Sequence, residues 1–497
     1  MKCEAGDYQY SSKEGDNLFN FKSLFRNNIN IMTTEEILYN EIQEFNSSDK
    51  RAWMVEGDKY YRVENDIYNR RITRQTESGE VTDRSKANNK LAHGFIKNLV
   101  DEKIGYLLTK DYALKCDNEE YIKKVKDALG KYFQYTLTRL GYEASNKGIA
   151  WLQVYIDEQG NFGTMLIPSE QCVPLWKDNT HTELDGMIRF YVQTVYEGKE
   201  KKRITRVEYY TENEVYFYVM DGEHLIPDIE QHEGGPILHY RKGEEGRGWG
   251  KVPFIGFKNN AIEYPDVRFI KSLIDSYDKS RSDIDNFIEE TKNLIYVLKG
   301  YGGQDLGEFM RDLNYYRAIK IDDVKDGGVD TLTPKIDIQA AKEHFEQLKR
   351  DINEFGQGVP KDLDKFGNSP SGISLKFLYA GLDLKCNHLE VEFKRAFEQL
   401  LYFVNVYLAE DGQGAYDEDV ELIFNRDIQI NETEAISNCV ASEDVISQET
   451  IIANHPWVSD VEGELEKLKK QKEEKAKVAA KAFGTDKFSK VDGEDEE

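Results

Sequence analysis

The closest approach to a phosphate-binding loop in this sequence is Gly250-Lys251. A backbone cradle for phosphate needs a glycine five positions before Gly250 and a Ser or Thr after the lysine; here those positions hold Glu245 and Val252, so no such cradle is written. The glycine- and serine-rich run at 367–372 lacks the Gly-x-Ser-x-Gly order that lifts a nucleophilic serine onto a strained turn. Eight histidines are scattered, with no His-Glu-x-x-His and no pair four apart. His93, His344 and His388 fall inside helical patterns, where a packing or surface role is expected rather than metal ligation. Cys3, Cys116, Cys172, Cys386 and Cys439 lie far apart with no Cys-x-x-Cys, which fits a reducing, intracellular setting. With 92 Asp and Glu residues some carboxylate pair is always at hand, and none stands out as acid and base. The residues indicate no catalytic group, no metal site, no cofactor and no enzyme.

The elements that would position any site follow from length and pattern. A chain of 497 residues has room for roughly three domains at about 150 residues each. Its 66 Lys and Arg against 92 Asp and Glu leave a net charge of -26, which argues against an outer surface that grips DNA or anionic lipid. An acidic wall past which DNA slides remains compatible with that charge. Only 39% of the residues are hydrophobic, yet 30 Tyr and 24 Phe supply large areas to bury. The N-terminus carries Lys2, Glu4 and Asp7 where a signal peptide is apolar, and the apolar run Leu400 to Ala409, broken by Asn405, is too short to span a bilayer.

Residues 1–31 read as a loose leader. Thr33-x-x-Glu36 forms a capping box ahead of Ile37, Leu38, Ile42 and Phe45 and predicts a helix start. Residues 60–85 read as an exposed connection. A second helix is expected from Asn88 (Leu91, Phe95, Leu99 and either Ile104 or Lys103), and a third over 119–140. From Ile149 the texture turns to β: two strands around Asp157-Glu-Gln-Gly-Asn, then runs at 187–196, 204–210 and 214–219, then a glycine-rich irregular stretch over 222–250. Helices followed by an antiparallel meander make an α+β arrangement.

In 266–292, Ile270, Tyr277 and Ile284 fall seven apart, with Ser280 and Arg281 interrupting a second stripe; in 337–356, Phe345, Leu348 and Ile352 continue a three-and-four alternation. Two rods result, and on periodicity alone they are an ordinary helix pair in one core. The insertion 293–336 reads as strands at Leu294–Leu298 and Ala318–Ile321, a short helix Asp305–Tyr316, and a turn at Asp326-Gly-Gly-Val. Residues 357–372, with their glycines and prolines, form a long loop. Leu378, Leu382, Leu389, Phe393, Phe397 and Leu400 mark one face of a long helix, with Gly381 a candidate kink. Val420 to Phe424 reads as a strand returning to the β region, short helices follow with one near Ser447, a charged helix covers 461–482, and the acidic end is expected to be disordered.

Several stretches, in this order and spacing, are similar to the portal (head-to-tail connector) proteins of tailed bacteriophages, of the type found in long-tailed phages of Gram-positive bacteria. They are Asn89-Lys-Leu-Ala-His-Gly-Phe-Ile-Lys-Asn-Leu-Val, Leu166-Ile-Pro-Ser-Glu-Gln-Cys-Val-Pro, Val252-Pro-Phe-Ile-Gly-Phe-Lys-Asn-Asn leading into Asp266, Ser371-Gly-Ile-Ser-Leu-Lys-Phe-Leu-Tyr-Ala-Gly-Leu, and Ser447-Gln-Glu-Thr. The likeness covers about residues 33–470, with Met32 a candidate for its start.

The resemblance implies a homo-oligomeric ring, usually of twelve copies, at one capsid vertex of the virion, assembled in the host cytoplasm. Carried onto this chain, it makes 1–32 a leader and 33–265 an α+β wing. Residues 266–292 and 337–356 become the stem helices around a clip at 293–336. A tunnel loop at 357–372, a long kinked helix and wing strand at 373–432, a crown at 433–483 and a disordered tail at 484–497 complete it.

Implied partners are double-stranded DNA passing without sequence preference, the terminase large subunit, a head-completion adaptor, and the major capsid and scaffolding proteins, with no membrane. In the loop, Lys361, Asp362, Asp364, Lys365 and Asn368 are candidates to touch the DNA backbone. In the clip, Tyr301, Arg311, Tyr315 and Arg317 are candidates for docking. The stem stripe (Ile270, Tyr277, Ile284, Phe345, Leu348, Ile352) is expected to pack against neighbouring subunits.

A conduit must avoid accumulating phosphate contacts. Asp266, Asp275, Asp278, Asp283, Asp285, Glu289 and Glu290, against five basic residues in 266–292, fit an acidic or mixed lumen. Two other classes stay open: another virion structural protein, of tail or scaffold, and a nuclease with a carboxylate metal site.

Overall fold

A computed structural model describes residues 32–76, 79–84, 86–231, 235–291, 295–299, 305, 307, 328–332, 337–360, 372–426, 432–443, 445–458 and 461–482. The expected leader, acidic tail, Asp305–Tyr316 helix and Ala318–Ile321 strand lie outside those residues wholly or almost so.

Helix α1 (Thr34–Ser47) opens with the expected box: the Thr33 hydroxyl accepts from the Glu36 amide at 3.3 Å, and the Glu36 carboxylate accepts from the Thr33 amide at 2.9 Å. Ser48 ends α1 and caps α2 (Asp49–Tyr61). The stretch expected as exposed connection starts inside α2, because Tyr60 is fully buried, and continues into an exposed hairpin of β1 (Thr73–Thr76) and β2 (Gly79–Thr82). Helix α3 (Phe95–Leu107) begins seven residues later than expected, after an extended segment. Seven of its 13 residues are buried, while Lys97 and Asn98 are exposed. After β3 (Ala113–Lys115), the single helix expected over 119–140 is two, α4 (Glu119–Leu129) and α5 (Phe133–Lys147), because Gly130 at φ +76° stops the first.

The β region holds two antiparallel sheets. Strands β4 (Ile149–Ile156) and β5 (Phe162–Ile167) pair as expected. A meander of β6 (Cys172–Trp176), β7 (Leu184–Glu197), β8 (Glu200–Tyr210), β9 (Glu214–Asp221) and β10 (His224–Pro227) follows, with β11 (Ile237–Leu238) added on β9. A small ribbon of β12 (Tyr240–Lys242) and β13 (Glu245–Arg247) leads to β14 (Phe254–Lys258), which returns to pair with β4. Leu38 and Ile42 of α1 cover the meander through Val173, Ile188, Val207 and Tyr218.

The rest is helical: α6 (Lys271–Thr291), a hairpin of β15 (Ile295–Lys299) and β16 (Gly328–Leu332), then α7 (Ile338–Phe355). The 39-residue α8 (Gly372–Glu410) runs without interruption through Gly381 and buries the expected face from Leu378 to Val404 in the main core. Strand β17 (Glu421–Ile423) returns not to the large sheets but to β3 beside the helices. Helices α9 (Glu432–Ala441), α10 (Gln448–Ala453), capped by Ser447, and α11 (Val461–Ala482) close the described chain. No described helix is long and apolar enough to cross a membrane.

Candidate functional site

The paired rods run antiparallel. Ile270 lies against Gly356 at one end, and Tyr277 meets Phe345 edge-on further along, with ring centres 5.9 Å apart. Ile270, Tyr277, Phe345, Leu348 and Ile352 are buried in the main core and Ile284 is half-buried against it. Within the chain the two amphipathic helices cover each other's stripes, and this packing is intramolecular; the expected contact with neighbouring copies is a matter of assembly. Arg281, which interrupts the second stripe in the sequence, lays its guanidinium 5.0 Å over the Phe345 ring and closes the seam.

At the far end of the rods, β15 and β16 pair from Ile295↔Leu332 to Lys299↔Gly328. The partner strand therefore begins at Gly328, inside what reads in sequence as the turn Asp326-Gly-Gly-Val. The docking candidates Tyr301, Arg311, Tyr315 and Arg317, and the loop candidates Lys361, Asp362, Asp364, Lys365 and Asn368, lie outside the described residues.

The carboxylates of the first rod are mostly engaged inside the chain. Along α6, side chains four apart receive alternate amides of the extended segment 87–93. Ala87 N–H donates to Glu290 (3.1 Å), Asn89 to Asn286 (2.6 Å), Leu91 to Ser282 (3.0 Å) and His93 to Asp278 (3.1 Å). Asp278 also takes His93 Nδ1 at 2.7 Å and the buried Asn65 amide at 2.6 Å. Asp283 pairs with Arg70, Glu289 accepts from Asn89 Nδ2 at 2.7 Å, and Asp275 holds Lys271 at 2.8 Å and the Tyr60 hydroxyl. These acids therefore fasten α6 to the rest of its own chain.

Asp266, just before α6, is fully buried between two ammonium groups, Lys103 of α3 at 2.8 Å and Lys385 of α8 at 2.9 Å, and accepts from Asn259 at 2.9 Å. Burial opposes its charge, but the two lysines win and hold the carboxyl well below the usual range. Burial pulls Lys103 below its ordinary value, with Asp266 resisting. Lys385 also donates to the Gly356 carbonyl at 3.0 Å, so one charge cluster ties α3, the root of α6, the end of α7 and α8. The sequence signal was a lysine on an apolar helical face; both Lys103 and Ile104 prove buried.

A second cluster sits at Glu263, which receives His181 Nδ1 at 2.7 Å, Lys258 at 2.9 Å and Lys50. Burial alone would raise this carboxyl; Lys50, Lys258 and His181 lower it to about 2. Lys258 and His181 line a cavity of about 230 Å³ with Trp151, Trp176 and Lys251. Lys251 stands 4.3 Å over the Tyr402 ring, so Gly250-Lys251 serves packing. His93 stacks edge-on against Tyr277, His344 lies beside Phe345, and His388 is exposed. Among the described residues no three His, Cys, Asp or Glu are grouped to hold a metal, and Cys116, Cys172, Cys386 and Cys439 are free thiols. Burial pushes the Cys386 thiol up to about 12.

Two antiparallel rods carrying a hairpin, rooted by buried charge beside a long helix, can present a distal tip on a stiff support. Residues 46–478 match the family described as phage portal protein, SPP1 Gp6-like. The portal protein of Bacillus phage SPP1 is 32% identical over 424 residues, covering 84% of this chain and 83% of that protein. The portal protein of Clostridium phage phiCD119 is 32% identical over 434 residues, covering 84% and 92%. The chain is of the phage portal class. Within that class it belongs to the SPP1 Gp6-like family. The match begins at residue 46, within α1, rather than at Met32.

Proposed function

We propose that copies of this chain close into a ring, of twelve subunits by analogy, at one vertex of a phage capsid, and that double-stranded DNA enters and leaves through its centre without sequence-specific contact. In this reading α6 and α7 are the stem, the 293–336 insertion is the clip that docks the terminase large subunit and later a head-completion adaptor, and 357–372 is the loop nearest the DNA. Residues 33–265 with 373–432 form the wing, against the major capsid and scaffolding proteins, and 433–483 the crown. Assembly takes place in the host cytoplasm. The chain is a structural component and the motor's ATPase is a separate protein.

The observation that carries the reading is the order of rod, hairpin, rod and long helix in a chain that matches the family over residues 46–478. Negative-stain microscopy of the purified protein tests it. Rings with a central hole wide enough for a duplex are expected, and monomers at every salt concentration refute it. Deleting 360–368 is expected to leave rings intact and impair DNA packaging; full packaging by that variant removes the loop from the mechanism.

A further inference from the structure

Helix α1 covers only part of one face of the meander. Phe45, near its end, meets Phe190 of β7 edge-on with ring centres 6.3 Å apart. At its start, burial and then the nearby Glu35 charge raise the Tyr218 phenol of β9. The helix therefore crosses from β9 over β8 to β7, and the chain that precedes Thr33 joins it on this same face. Strands β7 and β8 run on past that cover. Alternate residues share a face, so Val192, Thr194 and Tyr196 continue the row of Ile188 and Phe190, and the register sets Thr205, Arg203 and Lys201 opposite them. Strand β9 pairs with β8 only from Thr205 onward, so the end of β7 and the start of β8 form a ribbon of two strands. Ile188 is fully buried, whereas Val192 is 63% and Tyr196 is 73% exposed.

Residues 1–31 lie outside the described residues and ahead of the family match. Their densest apolar run is Leu18-Phe-Asn-Phe-Lys-Ser-Leu-Phe25, in which Leu18, Phe21 and Phe25 stand three and four apart, the spacing of one helical face. Asp16 stands where a helix cap belongs, and Lys22 and Arg26 fall toward the other end, the polarity that a helix dipole favours.

We infer that residues 17–26 form a helix that lies beside α1 in the same chain and covers the Val192–Tyr196 face of the ribbon. Position argues for this occupant. Packed helices lie about 8–10 Å apart. From Phe190, Val192 is about 6.7 Å and Tyr196 about 20 Å along the strand, so a neighbour of α1 falls over the exposed strip. Residues 27–33 are the only link to α1; seven extended residues span at most about 24 Å, enough for the chain to turn back across that spacing. Charge agrees with the direction. A helix antiparallel to α1 runs from β7 toward β9, which brings Glu14 and Asp16 to the end of the strip where Lys201 and Arg203 are exposed. A tethered segment also competes at high effective concentration against any free partner. The contact does not depend on the ring reading.

The test uses the full chain and hydrogen exchange read by mass spectrometry. A ten-residue helix is unstable alone in water, so slow exchange in 19–25 reports a contact. Those amides are expected to exchange at least tenfold more slowly than their unprotected rate. A ribbon variant (Val192→Asp, Tyr196→Asp) and a leader variant (Leu18→Asp, Phe25→Asp) are each expected to restore that rate while β4 and α8 keep the parent exchange pattern. Val192→Ile with Tyr196→Phe is expected to keep the protection. Irradiating Tyr196→p-benzoylphenylalanine is expected to join residue 196 to tryptic peptide 14–22 or 23–26 within one chain. Unprotected amides in 19–25 of the parent overturn the inference, as does protection that survives in the ribbon variant, which puts the leader elsewhere. A cross-link found only at twice the chain mass overturns the choice of occupant and gives the ribbon to a neighbouring copy. Ring formation is read separately, so either reading can fail alone.

Discussion

Replacing Asp278 with Ala removes one acceptor from three donors: the His93 amide, His93 Nδ1 and the Asn65 side chain. The site matters because the segment 87–93 has no strand partner among the described residues; its alternate amides are held by α6. Two residues of extended chain advance about 6.7 Å, and four residues of helix about 6.0 Å. Over the three steps from His93 to Ala87 the helix therefore falls about 2 Å short. The side chains make up the difference, from the short Asp278 and Ser282 near the root to the longer Glu290 at the far end. Hydrogen bonds to a buried carboxylate contribute about 1.5–3 kcal/mol each, and losing those of His93 is expected to cost the arm about 3 kcal/mol. At about 1.4 kcal/mol per tenfold, that is roughly 100-fold faster hydrogen exchange of the Asn89, Leu91 and His93 amides, read by mass spectrometry. Ser282→Ala, which removes one acceptor, is expected to give about fivefold at Leu91, for about 1 kcal/mol. Exchange unchanged in 87–93 for both variants, with the fold intact, would refute the claim that α6 holds this segment.

Glu263→Gln is expected to destabilise by on the order of 3 kcal/mol near pH 7, from a carboxyl lowered to about 2. Because the folded value is the lower one, this stabilisation is present above the unfolded value near 4.3 and is lost as pH falls toward 2. Denaturant midpoints of variant and parent should converge on acidification, and a gap that widens would contradict the assignment. Asp266→Asn strands the buried Lys103 ammonium beside Lys385 and is expected to cost about 3–5 kcal/mol. Burial lowers Lys103, so the folded variant binds fewer protons than the unfolded chain, and raising pH from 7 to 9 should recover part of the loss. Gly57→Ala would place a Cβ 1.8 Å from the Asn146 carbonyl oxygen; the closely packed α2 and α5 must then separate, at about 3 kcal/mol by urea denaturation. A neutral Gly57→Ala would mean the helices lie further apart than described.

Features written in consecutive residues were legible in the sequence. The capping pair Thr33 and Glu36, the Ser447 cap, the bounds of α11 and the three-and-four alternation of α7 all depend on spacing along one helix. The failures share a different cause, namely backbone groups whose partners are far away in sequence. Leu91, Phe95 and Leu99 have helical spacing from Asn88 onward, yet the amides of 89, 91 and 93 are taken by residues about two hundred positions later, so helix waits until Phe95. The acids of α6 look like free charge in a list; only the fold reveals that Arg70, Asn89 and Lys271 lie beside them. Likewise the rod stripes signal burial correctly, but periodicity carries no information on whether the covering helix belongs to the same chain. The clip and loop candidates, chosen by residue type in segments without periodicity, had no such internal check.

The junction of Asp266, Lys103 and Lys385 has a mechanical consequence. The entry to the first rod, the exit from the second and the long helix share one knot of opposite charges in a dry interior, with Gly356 pulled in by Lys385. Bending at this point would part an anion from its cations where little water can replace them, so the junction is a costly place for a hinge. The knot thus couples the base of the rods directly to α3 and α8.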